Sequence, residues 1–151
     1  MDLPNRELVV APDHFEVVLD DVVLRAELSS AIAVCLYDAV DEAGALLHLR
    51  FFLRGSQPID VTDSTLATEL LLLDRCIDSL REASPAARNL QARIAAHLPE
   101  ETAAVAACDA VITLVGHYLR DAGASVGPPD RGIGSPRSLR FRPSMGWLQI
   151  R

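Results

Sequence analysis

Ala31-Ile32-Ala33-Val34-Cys35-Leu36-Tyr37 is apolar at almost every position. A strand with one solvated face alternates apolar and polar residues, whereas a strand covered on both faces is apolar throughout. This stretch is therefore expected to be a central strand with a layer on either side. Asp38, Asp41, Glu42 and Gly44 then make a short polar connection to a second apolar run at 45–53. Two such runs joined by a tight turn read as an antiparallel pair. His48 stands in the middle of the second run.

Outward from this pair, 8–10 and 16–24 are short β-type runs, separated by Pro12-Asp13 and broken by Asp20-Asp21. On the other side, 54–60 holds Gly55 and Pro58 and reads as a loop. Leu66, Leu70, Leu73, Ile77 and Leu80 recur at spacings of three and four, the buried stripe of a helix over 62–81. Asp60, Thr62 or Asp63 can cap its start, and Ser84-Pro85 ends the region. Leu90, Ala92, Ile94 and Ala96 form the inner face of a half-buried strand. Pro99-Glu100-Glu101 opens a second helix, with Ala104, Cys108, Val111, Val115 and Tyr118 facing inward and Gly123 as its C′ residue. Loops follow at 127–129 and 132–136. A final strand pair carries Leu139 and Phe141, then Trp147, Leu148 and Ile150, with Pro143-Ser144-Met145-Gly146 turning between them. The expected fold class is α+β, with mixed sheets and flanking helices in a single domain over 1–151.

The composition narrows the function. Aromatic residues make up only 5% of the chain, so the core must be aliphatic. A net charge of -7 gives no electrostatic reason to bind nucleic acid or anionic lipid. Arg131, Arg137, Arg140, Arg142 and Arg151 make one locally basic stretch, but they alternate with apolar residues, as on the solvent face of a strand pair. Cys35, Cys76 and Cys108 are odd in number and set in apolar runs, which suits core positions rather than a disulfide framework. No Cys/His spacing suggests zinc, and no cofactor or metal is expected. The first residues lack the pattern of a signal peptide, and no apolar run reaches the length of a membrane span. A cytoplasmic protein without membrane insertion is the expectation.

Leu28-Ser29-Ser30-Ala31-Ile32-Ala33-Val34-Cys35-Leu36-Tyr37-Asp38 resembles the signature Leu-Gly-Ser-Cys-Val-Ala-Val-Cys-Leu-x-Asp of the CheD family of chemoreceptor glutamine deamidases. Gly44-Ala45-Leu46-Leu47-His48 resembles the Gly-(Gly/Ala)-Met-Ala-His that follows it, without a gap. Thr62-Asp63-Ser64-Thr65, Leu90-Gln91-Ala92-Arg93-Ile94, Asp130-Arg131-Gly132 and Arg137-Ser138-Leu139-Arg140-Phe141 resemble further family segments in the same order. The resemblance implies a layered sandwich of packed β-sheets with flanking helices, similar to bacterial toxin deamidase cores. It also implies conversion of receptor glutamine to glutamate. The partners it implies are the cytoplasmic domain of a methyl-accepting chemoreceptor and a CheC-type phosphatase or a CheD paralogue.

Glutamine deamidation is acyl transfer: a thiolate attacks the amide carbon, ammonia leaves, and water resolves the thioester. An imidazole lowers the thiol pKa and protonates the leaving group. The family set that the resemblance implies is a cysteine, a histidine seventeen residues on, and a threonine six residues before the cysteine. In this chain those positions hold Ala31, His48 and Arg25. Ser29-Ser30 replaces the family's Gly-Ser, making both serines candidate pocket residues. Glycines are also missing after the Ala92–Ile94 strand, at Ala95-Ala96-His97-Leu98, and near Ala106-Ala107-Cys108-Asp109. A methyl group cannot attack a carbonyl, and loss of covalent catalysis forfeits several kcal/mol of barrier lowering.

Two functions compete. One is a non-catalytic CheD-like chemotaxis protein that binds receptors or other chemotaxis proteins. The other is a receptor deamidase with a non-standard nucleophile or a His48-activated water. Alternation turns Ser30 away from the Ala31 face. His14, His97 and His117 share no ligand spacing and read as surface or loop residues. An open polar cleft between Ala31 and His48 favours ligand or peptide binding; a plug of Arg25 or Leu98 favours a surface-mediated role.

Overall fold

A computed structural model describes residues 6–38, 40–51, 64–85 and 89–151. The strands are β1 (Glu7–Val9), β2 (His14–Val18), β3 (Val23–Leu28), β4 (Ala31–Asp38), β5 (Ala43–Arg50), β6 (Gln91–Leu98), β7 (Ser125–Val126), β8 (Asp130–Ile133), β9 (Arg137–Arg142) and β10 (Trp147–Ile150). The helices are α1 (Ser64–Ala83) and α2 (Thr102–Asp121), with a 3-10 turn at Pro143–Met145. The fold is α+β, built on two mixed sheets.

The apolar stretch at 31–37 becomes β4 at the middle of the larger sheet, ordered β2-β5-β4-β6, with β7 and β8 both paired to the far edge of β6. The smaller sheet runs β1-β3-β9-β10. Alternate residues of β4 feed two cores. Ile32, Val34 and Leu36 meet Leu73, Ile77 and Leu80 of α1 and Val111, Val115 and Leu119 of α2. Ala31, Ala33 and Cys35 face the smaller sheet and join Val10, Leu24, Leu28, Leu139 and Phe141. The expected double coverage of β4 follows from this three-layer order of helices, larger sheet and smaller sheet.

The β4–β5 pair is antiparallel, with Asp38 opposite Ala43. Asp38 Oδ1 accepts the Val40 amide at 2.9 Å, an Asx-type contact that shapes the turn. Gly44 sits where only a hydrogen fits: a Cβ there would lie 2.3 Å from Pro143 Cβ and 2.6 Å from the Leu36 carbonyl oxygen.

α2 ends as its sequence predicts. Gly123 has φ +94°, donates to the Arg120 carbonyl, and is followed by Ala124 donating to Leu119, the full Schellman pattern. By length and composition α2 could cross a membrane, but 44% of that stretch is buried inside the domain, as for a core helix.

Several expectations need correction. The break at Asp20-Asp21 is where expected, but it also carries the chain from β2 in the larger sheet to β3 in the smaller one, a change of sheet the pattern did not indicate. The expected loop at 132–136 begins inside β8, which pairs in parallel with Ala95–Leu98 of β6. Glu100 and Glu101 precede α2 rather than fill its first turn. Leu119, not Tyr118, completes the inner stripe; Tyr118 is half-buried and its hydroxyl donates to Asp74 of α1 at 2.7 Å. The proposed caps at Asp60, Thr62 and Asp63 and the loop at 54–60 lie outside the described residues.

Candidate functional site

Strand register assembles the site. β5 sets His48 opposite Ala33 and Arg50 opposite Ala31, while β6 sets His97 opposite Ala31 and Ala95 opposite Ala33. Cross-strand partners share a face. Ala31, Ala33, Cys35, His48 and His97 therefore stand together on the face turned toward the smaller sheet. Ala31 and His48 are diagonal neighbours on adjacent strands, a Cα separation of about 7–8 Å that long side chains can span. The seventeen-residue spacing thus does bring these two positions together.

The space around them is closed. Ala31 and Ala33 are fully buried members of the inter-sheet core. His48 is buried as well, and its Nδ1 lies 3.0 Å from the Val10 carbonyl. A carbonyl only accepts, so Nδ1 carries the proton and donates. Nε2 has no hydrogen-bond partner among the described residues. Neither an open cleft nor a plug of Arg25 or Leu98 is present: Leu98 faces the helix-side core, and Arg25 is on the outer face of the smaller sheet.

The assignment of Arg25 to the site fails on alternation. Leu24, Ala26 and Leu28 of β3 point into the inter-sheet core, so Arg25 points out. There it contacts Glu27 Oε1 at 3.3 Å and Glu7 Oε1 at 3.6 Å. It plays no part beside Ala31.

Ser29 and Ser30 form the corner where the chain passes from β3 to β4, between sheets. Ser29 is exposed and Ser30 half-buried. Ser30 has φ +46°, an uncommon value for a residue with a Cβ. Its backbone is tied on both sides. The carbonyl accepts the Phe51 amide at 2.9 Å, and the N–H donates to His97 Nδ1 at 2.8 Å.

His97 is accordingly not a surface or loop histidine. It is buried in β6, and both ring nitrogens are engaged: Nδ1 accepts from Ser30 and Nε2 donates to the Gly134 carbonyl at 2.8 Å. His97 ties the Ser29-Ser30 corner to the turn after β8. Sequence reading missed it because only the Leu90–Ala96 face was assigned a covering layer. The available signal was the unbroken apolar pair Ala95-Ala96, which marks β6 as covered on both sides. His14 and His117 are exposed, as expected.

The rim is charged. Arg50 donates from Nε to Asp13 Oδ2 at 2.8 Å, and its backbone N–H donates to Asp13 Oδ1 at 3.1 Å. Asp13 itself has φ +61° and donates from its amide to the His48 carbonyl at 2.7 Å. The β1–β2 turn is thereby locked onto the end of β5.

The cysteines are poorly placed for nucleophilic work. Cys35 shares the His48 face and is diagonal to it across β5, but it is fully buried and no hydrogen bond joins the two among the described residues. Burial pushes its thiol far up, only partly offset by the Arg93 charge. Burial also pushes Cys76 and Cys108 up to about 12, on the helix side of the sheet. Among the described residues no three His, Cys, Asp or Glu side chains converge as metal ligands.

No family model matches the chain, and no curated protein matches it.

Proposed function

We propose that this chain is a non-catalytic chemotaxis protein of CheD-like type, which binds a chemoreceptor cytoplasmic domain or another chemotaxis protein without deamidating it. The observation that carries the proposal is the Ala31–His48 pair. The spacing that suggests nucleophile and imidazole places the two on one face, diagonally across β4 and β5, with a methyl group in place of sulfur. The rest of the pocket supports binding without chemistry. The adjoining space is apolar core, and Cys35 is too deeply buried to form a thiolate readily. Binding and turnover use different residues, so an exposed rim can keep a partner after the centre closes. The rim around Arg50, Asp13 and Ser29 is the surface assigned to that partner. A CheC-type phosphatase and a cysteine-bearing paralogue are the other partners the same scaffold would suit.

The decisive experiment pairs affinity capture with ammonia release. The protein should retain a chemoreceptor cytoplasmic domain, a CheC-type phosphatase or an active paralogue, and release no ammonia from receptor glutamines. Failure to retain any of these would refute the binding role. Ammonia release that disappears in His48→Ala would instead establish a deamidase with a non-standard nucleophile.

A further inference from the structure

A concavity lies on the helix side of β6, on the face opposite Ala31 and His48. It is a groove of about 170 Å³ lined by Ile94, Ile112, Gly116, Arg120, Val126 and Pro129, among others. A cavity of about 150 Å³ with aliphatic walls holds a benzene molecule. Gly116, in the buried face of α2, is part of the groove's lining, at a position where alanine would favour the helix more. One turn later, the Arg120 guanidinium folds back over it: a Cβ at Gly116 would stand 3.5 Å from Arg120 Nη1 and 3.9 Å from Ile94 Cδ1. Nearby Arg131 and Arg137 are neutralised by Asp109 and Asp130. Arg120 makes no hydrogen bond or ion pair with a described residue, so a cation with open donors stands at the mouth of an aliphatic groove.

We propose that this groove is a binding site for a small apolar monocarboxylate. The hydrocarbon part lies against Ile94, Ile112 and Val126, and the carboxylate takes the planar fork of Arg120. Guanidinium and carboxylate match in geometry and form charge-assisted bonds that an apolar wall strengthens. A single negative charge is the suitable load. The groove offers one arginine, lies beside the C-terminal half of α2 where the helix dipole disfavours anions, and belongs to a chain of net charge -7.

Titration with sodium benzoate, and separately with benzyl alcohol as its neutral counterpart, tests the site. Methyl resonances of Ile94, Ile112 and Val126 should shift with benzoate and saturate. The alcohol should bind at least about tenfold more weakly, a factor within reach of one charge-assisted hydrogen bond. Arg120→Gln, an exposed change, should bring benzoate down to the affinity of the alcohol. Gly116→Leu should abolish both by filling the groove. Absence of saturable shifts at millimolar benzoate would overturn the proposal. So would equal affinity for acid and alcohol, or unchanged benzoate binding by folded Arg120→Gln.

Discussion

At the scale of single residues, polar contacts join distant parts of the chain, Ser30 to His97 and Asp21 to Arg142 among them. Ser30 is held at positive φ by the hydrogen bond from its N–H to His97 Nδ1 and by the Phe51 amide on its carbonyl. His97→Ala removes the acceptor and leaves that donor unpaired at the sheet corner. The expected loss is about 1–3 kcal/mol, read as a lower urea midpoint. A midpoint within error of the parent would mean that water substitutes fully for the imidazole. Asp21 gives a prediction in pH. Donation from Arg142 and then Ser144 holds its carboxyl at about 2, against an ordinary 3.8. A carboxyl depressed by folding stabilises the native state while ionised, and loses that contribution as pH falls through the interval between the two values. The parent should therefore exceed Asp21→Asn in stability most clearly above about pH 4, with the gap closing toward about pH 2. Denaturant midpoints of both proteins across that interval check it. A gap that widened on acidification would contradict the sign.

At the scale of elements, a strand was legible in the sequence wherever its side chains were buried. β4 and β5 are apolar on both faces, and their shortness and the polar turn between them mark such runs as buried strands rather than helix. β8 was not legible because its residues are mostly exposed and its place is fixed by backbone pairing to β6, which leaves no period in the side chains. The change of sheet at Asp20-Asp21 was hidden for a related reason: a polar turn looks alike whether the next strand pairs back or crosses to another layer. The Ala31–His48 pair is what the family resemblance implies, and the two come together because β4 and β5 are consecutive strands paired without a bulge. His97, the Val10 carbonyl and the outward direction of Arg25 depend on non-local pairing, and no sequence window contains it. The 3-10 turn at Pro143–Met145 packs directly on β5 at Gly44. Gly44→Ala would force a Cβ to within 2.3 Å of Pro143 Cβ and 2.6 Å of the Leu36 carbonyl oxygen. Either β4 and β5 separate or the turn lifts. The expected cost is about 1–3 kcal/mol, as for other overpacked cores. Thermal unfolding of Gly44→Ala measures it, and an unchanged midpoint would show that the turn moves aside freely. Gly123→Ala, at φ +94° in the Schellman turn, should lose about 1–2 kcal/mol through backbone strain alone.

For the whole molecule, stacking two sheets and a helix layer leaves all three cysteine thiols inside. Cys76 and Cys108 lie between the helices and the larger sheet, Cys35 lies between the two sheets, and burial raises all three thiols. A thiol reagent needs both contact and thiolate, so closure and raised pKa act in the same direction. The native protein should thus react with no equivalent of an aromatic disulfide reagent at neutral pH, and with three after denaturation. Ala31→Cys extends the test to the vacant centre. Position 31 is fully buried against the smaller sheet, so the new sulfur enters a packed layer rather than a cleft. It should lower stability by about 1–3 kcal/mol. It should also stay unreactive in the native state and release no ammonia from receptor glutamines, because the sulfur would be packed between the two sheets out of reach of a substrate, and Arg25 stands outside where the resemblance implies a threonine. The denatured variant should titrate one thiol more than the parent. Rapid native reaction of that added thiol, with alkylation and ammonia release both lost in His48→Ala, would mean that the two sheets part readily enough to expose a working thiol–imidazole pair. The closed arrangement would then be one state of a pocket that opens.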